Sequence, residues 1–387
     1  MTSIDIAERI DRVEPSATLA ISGLAKELTA SGADVVDLSV GEPDFNTPDN
    51  IISAGKAAMD AGHTGYTPSA GIPPLREAIA HKLAEDGLSY ESDQIIVTPG
   101  AKQALYEVIQ TLINPGDEVV LLDPAWVSYA AMVKIAGGDL TRVDLTTHDF
   151  RLEPAIEALE DVITSQTKLL VLNTPSNPTG MVYSDAALSS LADIVRENDV
   201  TVVSDEIYQQ ITYDSTPRSF GTYPGMEDQT ITVNGFSKAY SMTGWRLGYF
   251  AGPSRIMDQA AKLHSHSVSC ATSFVQHAGV EALENTQDAV DEMVAAFAER
   301  REFLIDRLTD AGVTVPAVPD GAFYLMVPVV GDDQDACTRG LESAHVATVP
   351  GSAFGAPGYA RFSYANTLDR IDEALDRLLD IDYFNRD

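Results

Sequence analysis

A lysine stands between two apolar segments in the middle of the chain. Residues 230–233 and 247–251 have the composition of buried strands, so Lys238 is predicted to lie on a connection between core strands. Glycine, serine and aromatic residues surround it, and Arg246 follows. Burial and a neighbouring cation leave a fraction of such an amine neutral and able to form a Schiff base. The residues alone leave two interpretations open, a covalent-catalysis lysine and an ordinary loop lysine.

Two charged residues are predicted to be buried, and a buried charge needs a partner. Asp205 follows the apolar run 201–204, and Arg361 lies in an otherwise apolar segment. A buried carboxylate must be paired, and a guanidinium suits a carboxylate because the two groups can form bidentate hydrogen bonds. Glu206 competes with Asp205 for its role, and a structural salt bridge is the alternative for Arg361.

Three loops are candidate binding loops. Gly41 begins a run with two prolines, and Gly100 separates an apolar strand from the predicted helix 101–113. A helix N-terminus offers free N–H groups and the positive end of a dipole, so the second loop is a generic anion site. Asn177 lies in an Asn-Pro-Thr-Gly run, for which ordinary turn chemistry is the alternative.

These stretches resemble the class I pyridoxal-phosphate (PLP) aminotransferases of fold type I. The cofactor-lysine signature of that family matches position by position at Gly235, Phe236, Ser237, Lys238, Ser241, Met242, Gly244, Arg246, Leu247 and Gly248. The resemblance extends from Pro15 to Ala365, and it is greatest to the prokaryotic aspartate aminotransferase subgroup.

The resemblance implies a role for each candidate. Lys238 would bind the cofactor covalently and move a proton, Asp205 would pair with the pyridine nitrogen, and Tyr208 would donate to the phenolic oxygen of the ring. The other implied cofactor-binding residues are Gly100, Ala101, Lys102, Trp126, Asn177, Arg246 and Tyr66. The implied substrate-binding residues are Gly41, Lys102, Trp126, Asn177 and Arg361.

Two positions bear on the details of cofactor binding. In relatives with the Tyr-x-x-x-x-Gly loop, the tyrosine, here Tyr66, reaches the cofactor phosphate of the neighbouring subunit, which implies a homodimer with shared active sites. By itself, Tyr66 is equally compatible with a packed aromatic. Some relatives bind the phosphate with a serine where this chain has Gly235, so Ser237 or loop amides must compensate.

The implied reaction is ping-pong transamination between an amino acid and 2-oxoglutarate. Aspartate is the expected donor because Lys102 matches the lysine that recognises its distal carboxylate, and Glu14 argues against prephenate. The alternatives are an aminotransferase for alanine or aromatic amino acids, a PLP-dependent β-elimination lyase, and a silent PLP-fold binding protein.

The chain is strongly acidic. It has 58 acidic and 25 basic residues, a formal net charge of -33. Such a surface repels nucleic acid and anionic membranes, so neither is an expected partner. Because the acids are spread along the chain, we predict adaptation to a high-salt, halophilic cytoplasm, with a specific acidic interaction surface as the alternative.

Cysteine and histidine usage bears on the cellular compartment and on whether a metal site is predicted. Two isolated cysteines predict a reducing compartment, and no leader or long apolar stretch is evident, so a cytoplasmic location is expected. The seven histidines show no ligand spacing, so no metal site is predicted. His264 and His266 are expected at the surface or an interface.

The elements that must position these residues alternate along the chain. Apolar runs and helical patterns alternate from about residue 95 to 251, which predicts an α/β fold with ligand groups at strand ends. The same alternation predicts a mainly parallel sheet, and the resemblance implies a sheet of the seven-stranded type. The predicted division is a large PLP-binding domain, 45–280, and a smaller α+β domain, 281–387, which the segment 1–44 joins.

Overall fold

The computed structural model describes residues 5–214, 217–285 and 287–386. Its strands are β1 (Val36–Asp37), β2 (Ile95–Thr98), β3 (Glu118–Asp123), β4 (Asp139–Asp144), β5 (Thr167–Asn173), β6 (Thr201–Asp205), β7 (Thr230–Gly235), β8 (Gly248–Ala251), β9 (Tyr324–Pro328), β10 (Val346–Ala347), β11 (Val349–Pro350) and β12 (Tyr359–Ser363). Its helices are α1 (Ala17–Ala30), α2 (Asp49–Asp60), α3 (Pro73–Glu85), α4 (Ala101–Leu112), α5 (Val127–Ala136), α6 (Ile156–Val162), α7 (Asp185–Glu197), α8 (Ser254–Ser267), α9 (Ser273–Glu284), α10 (Asp288–Asp310), α11 (Asp333–Ala344) and α12 (Leu368–Leu379).

The central sheet confirms the α/β prediction. Its seven strands are ordered β2-β8-β7-β6-β5-β3-β4, and only β8 runs antiparallel to its neighbours. Residues 169–172 of β5, 202–205 of β6 and 230–233 of β7 are buried on both faces, as parallel strands covered by helices require. Their carboxyl ends bring Asn173, Asp205 and Gly235 to one edge of the sheet, where ligands bind in open α/β folds.

Two smaller sheets join distant parts of the chain. Strand β1 pairs in parallel with β10, and β12 pairs antiparallel with β11 and β9. The segment near the chain start therefore lies against the last third of the chain. This pairing agrees with a small domain built from both ends, although the boundaries 1–44, 45–280 and 281–387 stay a prediction.

Some predicted elements have different bounds. The apolar residues 346–349 predict a single strand, but β10 pairs with β1 and β11 pairs with β12, so the chain changes partner at Thr348. The apolar residues 322–327 predict a strand from Ala322, but β9 begins at Tyr324, because Ala322 has a positive φ of 54°. Edge strand β4 is partly exposed and alternates polar with apolar residues, and its sequence gave no continuous apolar signal.

The expectation for His264 is wrong. His266 is exposed, but His264 is fully buried on α8, where it faces α4 and pairs with the buried carboxylate of Glu107. From local sequence alone, a histidine next to polar residues is predicted to lie at the surface. The physical reason for its burial is the acidic partner on another helix, which local sequence does not reveal.

Candidate functional site

A cavity of about 440 Å³ opens at the carboxyl edge of the central sheet. Ten of the predicted site residues line it: Gly41, Ala101, Lys102, Trp126, Asn177, Asp205, Tyr208, Lys238, Arg246 and Arg361. Gly100 precedes the lining residue Ala101 in the chain, and neither Gly100 nor Tyr66 belongs to the lining. Most of these side chains lie at the carboxyl ends of β2, β3, β5, β6 and β7 or on the segments directly after them, which explains how residues from Ala101 to Arg246 meet.

Lys238 enters the cavity from the connection between β7 and β8, as predicted. Its Nζ donates a hydrogen bond to the carbonyl of Gly41. Burial lowers the pKa of Lys238 from its ordinary value to about 8, against the opposing effect of Glu42, and the nearby cations Arg361 and Arg246 lower it further. A minor neutral fraction of the amine is therefore present near neutral pH, and the neutral form is the one that reacts as a nucleophile.

Asp205 ends β6 and is buried beneath the cavity. Its Oδ2 accepts a 2.6 Å hydrogen bond from Tyr129, and Oδ1 accepts a 3.3 Å bond from the backbone N–H of Ile207. Burial raises the pKa of Asp205 to about 6, while these two donors and Lys238 oppose the rise. Sequence reasoning missed Tyr129, although its place three residues after Trp126 on α5 was an available signal.

Tyr208 is also buried, and its hydroxyl is 2.9 Å from the hydroxyl of Tyr324. Its ring lies 5.8 Å from Nζ of Lys238. Burial and the neighbouring Tyr324 raise the pKa of Tyr208 well above its usual value, so it remains a donor. Tyr324 was missed because its strand, β9, belongs to a different sheet and carries no recognisable motif.

Arg361 reaches the cavity from β12 and is 2% exposed. Nη1 donates to Oδ1 of Asn177 at 2.9 Å, and Nη2 donates to the carbonyl of Ser39 at 2.7 Å, while Nε is buried without a hydrogen-bond partner. Within residues 5–214, 217–285 and 287–386, no carboxylate forms an ion pair with it. The structural salt bridge is thus not formed there, and a buried cation faces a cavity.

The start of α4 has the features of an anion site. Gly100 has a φ of 87°, and the carbonyls of the described chain accept no hydrogen bond from the N–H groups of Ala101 and Lys102. Arg246 donates to the carbonyl of Thr243 at 2.7 Å, and its guanidinium lies against Gly100. A Cβ at Gly100 would be 2.6 Å from Nη2 of Arg246, so only glycine allows this approach.

Lys102 projects from the first turn of α4 toward Trp126. Its Nζ lies 4.7 Å from the centre of a Trp126 ring. Burial and the charge of Arg246 lower the pKa of Lys102. In the described part of the chain, no carboxylate pairs with its amine, so it is a second cation without an anion at the cavity.

Helix α1 forms one wall of the cavity, which the sequence did not predict. Thr18, Ser22 and Lys26 follow at four-residue spacing and line the wall together with Ser16. The apolar residues Leu19, Leu24 and Leu28 predict this helix, and its polar face was the missed signal. Tyr66, by contrast, is 93% exposed in the single chain, so it contributes nothing to this chain's own cavity.

Comparison with known proteins assigns the chain to a family. The family model for aminotransferase class I and II matches residues 33–378. The chain belongs to this family. It is 44% identical to an aspartate aminotransferase of Geobacillus stearothermophilus over 96% of this chain and 98% of that protein.

Solved structures of aminotransferases share the fold. An aspartate aminotransferase of Thermus thermophilus with maleate matches with a TM-score of 0.94 and 41% identity, over 98% of this chain and 100% of that one. An aromatic aminotransferase of Pyrococcus horikoshii matches with a TM-score of 0.87 and 38% identity, over 92% and 98% of the two chains. The protein is therefore a PLP-dependent aminotransferase of fold type I.

The described residues lack both a membrane-spanning helix and a cluster of metal-ligating side chains. None of the helices there is long and apolar enough to cross a membrane. Over the same residues, no group of three or more His, Cys, Asp or Glu side chains is arranged to hold a metal ion. The expectation that no metal takes part stays a prediction.

Proposed function

We propose that this aminotransferase transfers the amino group of aspartate to 2-oxoglutarate. The observation that carries the proposal is the pair of cations, Arg361 and Lys102, that face the cavity without a carboxylate partner in the described chain. A dicarboxylic amino acid supplies one carboxylate for each. The relatives named aspartate aminotransferase support the same substrate.

The residues of the cavity fit PLP. The free N–H groups of Ala101 and Lys102, with Arg246, suit its phosphate, and Gly100 leaves room for this approach. Asp205 suits the pyridine nitrogen, since the ion pair would also satisfy a buried carboxylate. We propose that Trp126 stacks on the ring and that Tyr208 and Asn177 donate to its phenolic oxygen.

The proposed chemistry divides between cofactor and protein. PLP, when bound, supplies the electron sink that makes the Cα proton of the amino acid acidic. Arg361 and Asn177 orient the α-carboxylate, and the N–H and carbonyl groups around Gly41 border the same end of the cavity. Nζ of Lys238 accepts the Cα proton and returns a proton during transfer, because its lowered pKa makes it a base near neutral pH.

We further propose a homodimer in which Tyr66 contributes to the cavity of the second subunit. Its side chain is 93% exposed in the single chain and is therefore free to reach a second subunit, as the resemblance to relatives with this loop implies. A cytoplasmic location is proposed on the basis of the two cysteines, neither of which forms a disulfide.

A panel of amino donors tests the proposed substrate. Aspartate, glutamate, alanine and phenylalanine are assayed with 2-oxoglutarate, and we expect the highest kcat/KM for aspartate. A higher value for alanine or phenylalanine would assign the enzyme to that donor, and release of ammonia without an acceptor would indicate β-elimination. Borohydride reduction followed by peptide mapping should place the cofactor on Lys238.

A further inference from the structure

A buried ionisable pair lies outside the cavity. Glu107 on α4 and His264 on α8 are both 0% exposed. Nδ1 of His264 is 2.9 Å from Oε2 of Glu107, and Nε2 is 3.0 Å from the carbonyl oxygen of Ser69. Both ring nitrogens therefore face acceptors, and the imidazole bridges a helix and a loop.

The hydrogen bonds determine how this pair is protonated. The carbonyl of Ser69 only accepts, so Nε2 of His264 carries a hydrogen. Oε1 of Glu107 accepts from Gln103 at 2.9 Å and from Ser267 at 2.9 Å, and Nδ1 of His264 lies 2.9 Å from Oε2 and 3.1 Å from Oε1. Both ring nitrogens of His264 and both carboxylate oxygens of Glu107 therefore have hydrogen-bond partners.

The loop that His264 holds is anchored on several sides. The amide of Gln276, itself fully buried, accepts from the backbone N–H of Ile72 at 2.8 Å and donates to Thr67 at 3.0 Å. The carbonyl of Ala70 accepts from Val97 on β2 at 3.0 Å. These contacts, with the bond from His264 to Ser69, fix residues 67–72 against the body of the subunit. Tyr66 projects from the fixed end.

We propose that His264, held by Glu107, is a positioning residue that fixes this loop so that Tyr66 enters the cavity of a second subunit. The inference rests on the proposed homodimer with shared sites. Glu107 lies on α4, and the first residues of that helix border this subunit's own cavity. The Glu107–His264 pair therefore connects the start of α4, which borders this subunit's own cavity, to the loop of Tyr66, which is proposed to serve the cavity of the other subunit.

A double-mutant cycle on the dissociation constant of PLP tests the inference. The constant is measured by reconstitution of the cofactor-free protein for Tyr66→Phe, His264→Leu and the double variant. We expect each single change to raise it roughly 10- to 100-fold, as for loss of a hydrogen bond to a charged group. The double variant should bind PLP no more weakly than the single variant with the lower affinity, because both changes remove the same contact.

Two variants separate positioning from general destabilisation. Glu107→Gln should keep PLP affinity near the wild-type value, because its amide can donate to Nδ1 of a neutral His264 while its oxygen still accepts from Gln103 and Ser267. Thr348→Val removes a buried 2.7 Å bond to Tyr383 far from the loop. It should lower the melting temperature without changing the PLP dissociation constant.

The outcomes are distinguishable. The positioning role would be overturned if the two single changes raised the dissociation constant of PLP independently, so that their fold-changes multiplied in the double variant. An unchanged dissociation constant in His264→Leu would overturn it as well. An unchanged constant in Tyr66→Phe would overturn both the shared site and this inference. If His264→Leu does not fold, His264→Asn, which cannot reach both acceptors, replaces it with the same expected result.

Discussion

The guanidinium of Arg361 donates a 2.9 Å hydrogen bond to Oδ1 of Asn177 and so joins the three-stranded sheet to the loop after β5 of the central sheet. The contact leaves Nε of Arg361 buried without a partner. A buried, incompletely satisfied cation is costly unless an anion binds. The energetic need for that anion is the physical basis on which we propose that the pair binds a carboxylate.

Arg361→Lys should impair every amino donor alike, because all of them carry an α-carboxylate. Lysine cannot reproduce the bidentate geometry, and loss of one charge-assisted bond lowers kcat/KM roughly 10- to 150-fold. Steady-state kinetics with aspartate and alanine measure the effect. Arg370→Lys, which changes a surface arginine paired with Asp34, is the matched control and should leave kcat/KM unchanged.

Covalent attachment of PLP to the cofactor-free protein should accelerate with pH up to about 8 and then level off. Only the neutral amine of Lys238 reacts, and its pKa is lowered to about 8, so the neutral fraction rises through that value. Stopped-flow absorbance records the rate. A rate that still rises toward pH 10 would show an ordinary lysine pKa, and Lys238→Arg should show no attachment at any pH.

Tyr129→Phe should move the acid limb of PLP binding to higher pH. The tyrosine donates to the ionised form of Asp205, so its removal raises the pKa of Asp205 further above about 6. The carboxylate exists only above that pKa, and binding is lost sooner as the pH falls. A pH titration of PLP affinity checks the shift, with Tyr90→Phe, a buried tyrosine outside the cavity, as control. An unmoved acid limb would contradict the role of Tyr129.

Lys102→Ala should impair aspartate far more than alanine or phenylalanine. The amine is proposed to bind the distal carboxylate, and loss of this contact should lower kcat/KM for aspartate roughly 10- to 150-fold. The matched control is Lys168→Ala, which removes an exposed lysine of β5. Equal losses for all donors would instead assign Lys102 to the cofactor phosphate.

The melting temperature should rise with molar salt. A formal net charge of -33 repels itself, and counter-ions screen this repulsion. Thermal melts in low and in multimolar KCl measure the change. An unchanged or lower melting temperature in high salt would remove the argument for a halophilic protein.

The sequence by itself located the strand ends that carry the chemistry. Lys238 between β7 and β8, Asp205 at the end of β6 and the glycine before α4 were all predicted, and the structure places each there. These predictions succeeded because apolar periodicity and turn residues are local properties of the chain. The parallel central sheet followed from the same alternation of elements.

Only the tertiary structure decided which side chains contact these site residues. Tyr129 meets Asp205 across 76 positions of sequence, and Tyr208 meets Tyr324 across 116. The burial of His264 depends on Glu107, which is 157 positions away. In sequence, such residues look the same as surface or core residues of their type. Their partners are chosen by the packing of separate elements, which no local pattern encodes.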